Sequence, residues 1–384
     1  MRSRVIVVGG GTMGLAVAAA IARRGREVLV LERWGHVHEM ASHGGHTRVT
    51  RHAYHEGSAY VPLVRESEAV WAACEAATGE RLYVRTGLIE AGPPEDRDFQ
   101  AVLAACEAHA IPHAVIEARE ANLRWPLQVP EGWLVCHTLT GGYLRVKACM
   151  DAMRREAESR GVVFRYGERV REIGGGARLH VLLESGEILP CEQVVVAAGA
   201  FARSLLPSRL AALLAVRRRV LAWSSPSAAS IPVLRDMPVW CAFRPEGLFY
   251  GFPWGDEGTA GCKLACHVYT APGEDDRLDA DAVDREIHAE DLAPLAAFQA
   301  EQMPAARGPW AAAKICLYGC TPTGDFMVDV LPDDPRVVVA VGFSGHGFKF
   351  APSVGRLCAD LVEGRDDALP SIFRWEHHLA GPRW

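Results

Sequence analysis

Arg4-Val5-Ile6-Val7-Val8-Gly9-Gly10-Gly11-Thr12-Met13-Gly14 is the stretch that decides the fold. Val5 to Val8 form a β-branched run that stops on glycine, the pattern of a strand buried on both faces of a parallel sheet. Gly9, Gly11 and Gly14 then stand in the spacing G-x-G-x-x-G, and Met13 to Ala22 continue as an apolar helix that Gly25 ends. Val28 to Leu31 supply a second strand. Glu32 sits at its carboxyl end, about 20 residues past the glycines, where an acid accepts from ribose hydroxyls. Each glycine has a mechanical reason: the first makes the tight turn, the second lets backbone approach a pyrophosphate, and the third packs helix on strand. The helix N-terminus, with Thr12 and Met13 in its first turn, then holds the anion. Arg33, next to the acid, is counted with this nucleotide site.

A chain of 384 residues suits two domains sharing an interface. Its net charge of −6 gives no reason to expect nucleic acid or an anionic membrane as partner. No secretory signal is visible at the start, and no apolar run is long enough to span a bilayer. The 11 cysteines, an odd number scattered beside a nucleotide motif, argue for reduced thiols in a cytoplasm. Cys262, Cys266 and His267 with Cys316 and Cys320 invite a zinc reading, but their C-x-x-x-C spacing lacks the C-x-x-C knuckle, and no metal is expected.

Downstream, Ala41 to Gly57 is polar and rich in glycine and histidine, and reads as a loop that lines something. Helices are expected over Pro62 to Thr78, Phe99 to His109, Leu144 to Arg160, Asp279 to Leu295 and Pro352 to Glu363. Strands are expected over Leu82 to Ala91, Trp133 to His137, Val162 to Tyr166, Ala177 to Leu183, Gln193 to Ala198, Arg217 to Trp223, Leu248 to Pro253, Gly261 to Tyr269 and Val337 to Val341. Gln193 to Ala198 runs into Gly199, where small residues let backbone come close to a ligand. The fold class is therefore α/β, a Rossmann-like FAD-binding domain (1–85, 146–217 and 321–384) interleaved with an α+β substrate domain on a mixed sheet (86–145 and 218–320). FAD is preferred to a nicotinamide because the chain returns to the site from its far end. There Val337 to Leu361 can bring backbone N–H groups and a helix dipole to an isoalloxazine.

Five further stretches carry a resemblance. Ser42-His43-Gly44 with Thr47 to Tyr54, Tyr250-Gly251-Phe252-Pro253, Lys263-Leu264 with His267, Cys316-Leu317-Tyr318 with Thr321-Pro322, and Gly342 to Lys349 are together far more specific than the glycine motif. On these the chain resembles, over essentially its whole length, the monomeric sarcosine oxidase family of FAD amine oxidases in the glutathione-reductase-like flavoprotein group. The resemblance implies a carboxylate anchor made by Arg51 and Lys349, the former a bidentate fork and the latter a point charge. It also implies that Lys263 activates oxygen and that His267, Tyr250 and Tyr318 line the substrate cavity. Period-two geometry puts Lys263 and His267 on one strand face. Ser42, His43, Arg48, Gly345, His346, Gly347 and Lys349 match flavin-environment positions. Cys316 matches a cysteine that carries the flavin through a thioether, with Cys320 a close competitor on sequence alone, and a nearby cation would favour the attacking thiolate.

One departure bears on substrate. A gapless count places Cys241 where sarcosine oxidases hold a methionine over the substrate, which leaves room for a larger N-methyl or cyclic secondary amino acid. The implied reaction oxidises the amine to an imine that hydrolyses, and oxygen becomes hydrogen peroxide, in a monomer with a small-molecule amino acid as its partner. A same-fold dehydrogenase with another electron acceptor and a flavoprotein without turnover are the alternatives.

Overall fold

The computed structural model describes residues 4–255, 259–269 and 278–380. The expected domain spans therefore include short pieces, 1–3, 256–258, 270–277 and 381–384, that lie outside the described residues.

Strand Arg4–Val8 lies at the centre of a six-stranded sheet, with Glu27–Glu32 on one side and Gln193–Val196 on the other, both parallel to it. Val163–Tyr166 and Asp334–Val341 extend the two sides in parallel, and Met327–Leu331 closes one edge antiparallel. Val5 to Val7 and Val194 to Val196 are fully buried, as β-branched runs covered on both faces must be. Chain connections leave opposite sides of Arg4–Val8, so its carboxyl end is a topological switch point at which a crevice opens.

Glycine contacts fix what stands around that crevice. Gly9 has φ +102°, and a Cβ there would lie 2.5 Å from the Ala197 carbonyl oxygen. At Gly14 a Cβ would lie 1.8 Å from the Gly9 oxygen, so only glycine lets the helix Thr12–Arg23 start so close to the strand. The C-terminal helix Ala351–Val362 packs on this first helix, where a Cβ at Gly355 would come within 2.6 Å of the Ala16 oxygen. That contact brings the far end of the chain to the nucleotide motif.

An eight-stranded mixed sheet forms the second layer system, in the order Trp310–Cys320, Ala215–Ser224, Cys262–Tyr269, Gly247–Gly251, Val239–Arg244, Leu88–Gly92, Leu134–Thr138, His113–Glu117. Only Val239–Arg244 and Leu88–Gly92 pair in parallel. One face packs Trp240, Phe249 and Leu264 beneath Leu295 and Phe298 of helix Ala289–Gln302. Residues in register on the other face, Glu90, Cys241, Tyr250 and Ala265, look toward the first domain.

Four expectations change. Leu82 to Ala91 is two strands in different sheets, Tyr83–Val84 and Leu88–Gly92, because Gly87 turns the chain between them at φ +74°. Inside the expected loop 41–57, Thr47–Thr50 is a strand paired with Gly142–Arg145. Those last residues, Leu144 and Arg145, belong to that strand, and the helix runs Val146–Ser159. The expected helix from Asp279 begins only at Ala289, where His288 and Asp291 form a capping box.

Candidate active site

The larger cavity, about 1300 Å³, starts at the carboxyl end of Arg4–Val8. Gly9, Gly11, Thr12, Met13, Glu32, Arg33, Ser42, His43, Arg48, Gly199, Gly345 and Gly347 all line it. Glu32 accepts from the backbone of Gly10 at 2.6 Å and of Trp34 at 2.8 Å, and His38 Nε2 stands 3.3 Å away. Burial favours its neutral form, yet these hydrogen bonds win and hold the carboxyl below its ordinary range. The helix that starts at Thr12 has Gly11 as its N-cap and no side-chain cap, which leaves its first turn's donors to an anion. Arg33 lies 4.6 Å over the Trp34 ring and pairs with Asp281 at the cavity rim.

A smaller cavity of about 530 Å³ is lined by Arg51, Glu56, Cys241, Tyr250, His267, His346 and Lys349. Arg48, Tyr318, Gly345 and Phe348 line both cavities, so the two meet there. Gly345 makes the junction possible: its φ is +82°, and a Cβ would collide with the Tyr318 ring at 2.1 Å. Arg48 is fixed by the backbone oxygens of Gly44 at 2.6 Å, Ser42 at 2.7 Å and Thr47 at 2.8 Å.

The smaller cavity's lining carries three basic side chains, Arg48, Arg51 and Lys349, and one acid, Glu56, while a second acid, Glu90, lies buried beyond it. Arg51 is 6% exposed, and its Nη2 donates to both Glu56 oxygens at 2.7 Å while Nη1 donates to the Ala53 oxygen at 3.0 Å. Glu90 stands 3.8 Å from Nη1. Burial opposes the guanidinium's charge, but Glu56 and Glu90 outweigh it and the pKa rises. Lys349 donates to the His346 oxygen at 2.8 Å and the Tyr54 hydroxyl at 3.2 Å, and burial, then Arg51, lowers its pKa to about 7. His267 and His346 are driven by burial to about 3 and about 4, so both are neutral imidazoles at pH 7. His267 Nδ1 lies 3.3 Å from the Tyr318 hydroxyl. Tyr250 is pushed up to about 12, chiefly by burial, and is a neutral phenol.

The profile of the family described as FAD dependent oxidoreductase (DAO) matches residues 4–361. The chain belongs to that family. Among relatives it is 32% identical to the monomeric sarcosine oxidase of Bacillus sp. (strain B-0618), covering 96% of this chain and 94% of that one. It is 30% identical to the N-methyl-L-tryptophan oxidase of Yersinia pestis (strain Pestoides F), covering 95% and 96%. Among solved structures it resembles NikD, an unusual amino acid oxidase essential for nikkomycin biosynthesis, with TM-score 0.80 and 23% identity over 99% of this chain and 98% of that one. L-proline dehydrogenase from P. horikoshii superposes with TM-score 0.82 at 19% identity over 100% and 99%, a likeness of fold alone.

The larger cavity fits the FAD of this family. A Cβ on Gly11 would meet nothing nearer than His43 Nδ1 at 3.8 Å, so backbone there is open to a ligand. His43 Nε2, on the cavity wall, is buried with no hydrogen-bond partner in the protein. Two residues matched to flavin roles, Lys263 to oxygen activation and Cys316 to covalent attachment, lie behind the cavity walls. Lys263 does share a strand face with His267, as the spacing requires, but the residue is 1% exposed and its Nζ donates to the Thr47 oxygen and hydroxyl, both at 2.9 Å, with the Phe252 ring 4.5 Å away. Cys316 Sγ donates to the Ser42 oxygen at 3.1 Å and lies 3.9 Å from Arg48 Nη2. Cations do stand near this thiol, but burial outweighs Arg48 and Lys263 and raises its pKa. Cys262 and Cys266 face the opposite side of the sheet from Cys316 and Cys320, which separates the two C-x-x-x-C pairs.

Sequence reasoning missed three participants. Glu56 lay inside the stretch read as lining something, and an acid five residues after Arg51 was its available signal. Glu90 showed itself as an acid in the apolar run Leu88 to Ala91. Tyr54, whose hydroxyl joins His346 Nδ1 at 2.6 Å to Lys349, sat inside a matched motif.

Proposed function

We propose that this flavoprotein is an oxidase of a secondary amino acid, N-methyl or cyclic, giving an imine that hydrolyses and hydrogen peroxide. The observation that carries the reading is the junction of the two cavities at Arg48, Tyr318, Gly345 and Phe348, with Arg51 and Lys349 in the smaller one. When bound, FAD supplies an acceptor for hydride from the carbon next to nitrogen and a donor of electrons to oxygen. The chain's own residues do the rest. Arg51 and Lys349 bind the substrate carboxylate, and Glu56 holds the guanidinium until that carboxylate replaces it. Neutral Tyr250, His267 and Tyr318 wall the amine in and keep water out without adding charge. Lys263 supplies a fixed positive charge where oxygen is reduced.

Finer points belong to the same proposal. Cys316 is the attachment point of the flavin, supported by Arg48 beside its sulfur. The nucleotide domain comprises 1–85, 146–217 and 321–384, and the substrate domain 86–145 and 218–320; the six-stranded sheet draws on the first alone and the eight-stranded sheet on the second apart from residues 215–217, while a three-stranded sheet pairs Thr47–Thr50 and Tyr83–Val84 with Gly142–Arg145 across the two. None of the eleven cysteines is in a disulfide, which supports the reducing cytoplasm as the place of work of this proposed monomer. No described helix is long and apolar enough to cross a membrane. Anaerobic mixing of the holoenzyme with a panel of N-methyl and cyclic amino acids tests the reading. Bleaching by members of that panel, and not by matched amines lacking the carboxylate, is expected; a flavin that no member bleaches would overturn it.

A further inference from the structure

Glu90 is the most anomalous side chain in the second sheet. It is 0% exposed, and neither carboxylate oxygen has a hydrogen-bond partner in the protein. Its nearest cation, Arg51 Nη1 at 3.8 Å, is beyond hydrogen-bonding reach and already donates to Ala53. A buried acceptor left without a donor is costly and calls for an explanation. Register supplies one. Glu90 sits between Cys136 and Cys241 on neighbouring strands, and Cys241 sits between Glu90 and Tyr250. Paired residues in register point to the same face, and Cys241 and Tyr250 line the smaller cavity. The acid thus stands on the cavity side of the sheet, buried beside Cys241, the small side chain that forms the cavity wall there.

Resting on the function proposed above, we infer that Glu90 determines side-chain specificity: it receives a hydrogen-bond donor, hydroxyl or ammonium, carried by the substrate's side chain past Cys241. The substrate class is then a secondary amino acid with a polar, donor-bearing side chain. Arg51 and Lys349 take its carboxylate, and the orphaned acid takes its far end. Burial pushes the Glu90 carboxyl up to about 7, with Arg51 lowering and Glu56 raising it, so it meets a cationic donor as a carboxylate at the cost of one proton. Cys136 and Cys241 flank it as neutral thiols.

Three probes of equal length separate the terms: N-methylnorvaline, N-methylhomoserine and N-methyl-2,4-diaminobutyrate, ending in methyl, hydroxyl and ammonium. In kcat/KM the wild type is expected to favour the two donor probes over the methyl probe by roughly 10- to 100-fold, the range of one charge-assisted hydrogen bond. Glu90→Val should erase the preference, and isosteric Glu90→Gln should lose it for ammonium more than for hydroxyl. If Glu90→Val fails to fold, the ammonium-to-hydroxyl ratio in Glu90→Gln carries the test. A wild type that takes the methyl probe equally well, or a preference that survives both substitutions, overturns the inference while the oxidase reading stands. Bleaching by none of the probes, nor by sarcosine or proline, sinks that reading and the inference with it.

Discussion

Arg51 Nη2 donates to both carboxylate oxygens of Glu56 at 2.7 Å inside the cavity where a substrate carboxylate is proposed to bind. The anchor is therefore already paired in the protein alone. An incoming carboxylate gains only the difference between its own fork and the one it displaces, and Lys349 beside it supplies the surplus charge.

Glu56→Gln weakens the internal competitor while keeping an acceptor for Arg51. Carboxylate inhibitors should bind about tenfold more tightly, roughly one charge-assisted hydrogen bond's worth, read from perturbation of the flavin spectrum. Weaker binding would mean that Glu56 positions Arg51 and does not compete. The same ion pair affects stability. Burial disfavours the Glu56 charge, but Arg51 and its neighbours hold the carboxyl well below its ordinary 4.5. Its contribution is thus present above pH 4.5 and lost as pH falls through the folded value.

Arg51→Ala and Lys349→Ala should each weaken carboxylate inhibitors, the arginine more, since charge-assisted hydrogen bonds contribute roughly 1.5–3 kcal/mol. Lys349 adds a pH signature. Its pKa is lowered to about 7, so above that pH the ammonium is lost and affinity should fall, by at most about tenfold per unit for one proton. Lys349→Met should remove that part of the slope and leave the part due to Glu90, which also titrates about 7. Titrations of both proteins between mildly acidic and alkaline pH check this. An unchanged slope would remove Lys349 from the anchor.

What could be read in advance followed the range of the interactions. Strand, glycine turn and helix over Arg4 to Ala22 are fixed by neighbours a few residues apart, and the contacts at Gly9 and Gly14 are those their spacing demands. Lys263 and His267 sharing a face likewise follows from strand period alone. Thr47–Thr50 was illegible because a short polar strand exists only through its distant partner, Gly142–Arg145. Glu56 and Glu90 went unread, since their meaning comes from Arg51, reached through tertiary packing. Nor could sequence say that Lys263 spends hydrogen bonds on Thr47.

If Cys316 carries the flavin, yellow colour should stay with acid-precipitated protein, be lost in Cys316→Ser and persist in Cys320→Ser. The raised thiol pKa adds an expectation: attachment to added FAD should be slow at neutral pH and faster in alkali. Colour released from the wild type by acid would remove the covalent claim.

Lys263→Met replaces an ammonium by a thioether of similar length. Anaerobic reduction by substrate should lose little, while reoxidation by oxygen should slow by about 10²–10³, the usual cost of one preorganised charge. Equal losses in both half-reactions would assign Lys263 to holding Thr47 and the strand behind it.

Double-mixing stopped flow on the wild type addresses the oxidase claim most directly. The holoenzyme is first mixed without air with a secondary amino acid that the panel identifies, then with oxygenated buffer, and absorbance and peroxide are followed together. The account predicts complete bleaching, rapid return of the oxidised spectrum and hydrogen peroxide equal to the flavin bleached. A flavin that bleaches but recovers slowly in air, with little peroxide, would contradict it and assign the fold to a dehydrogenase.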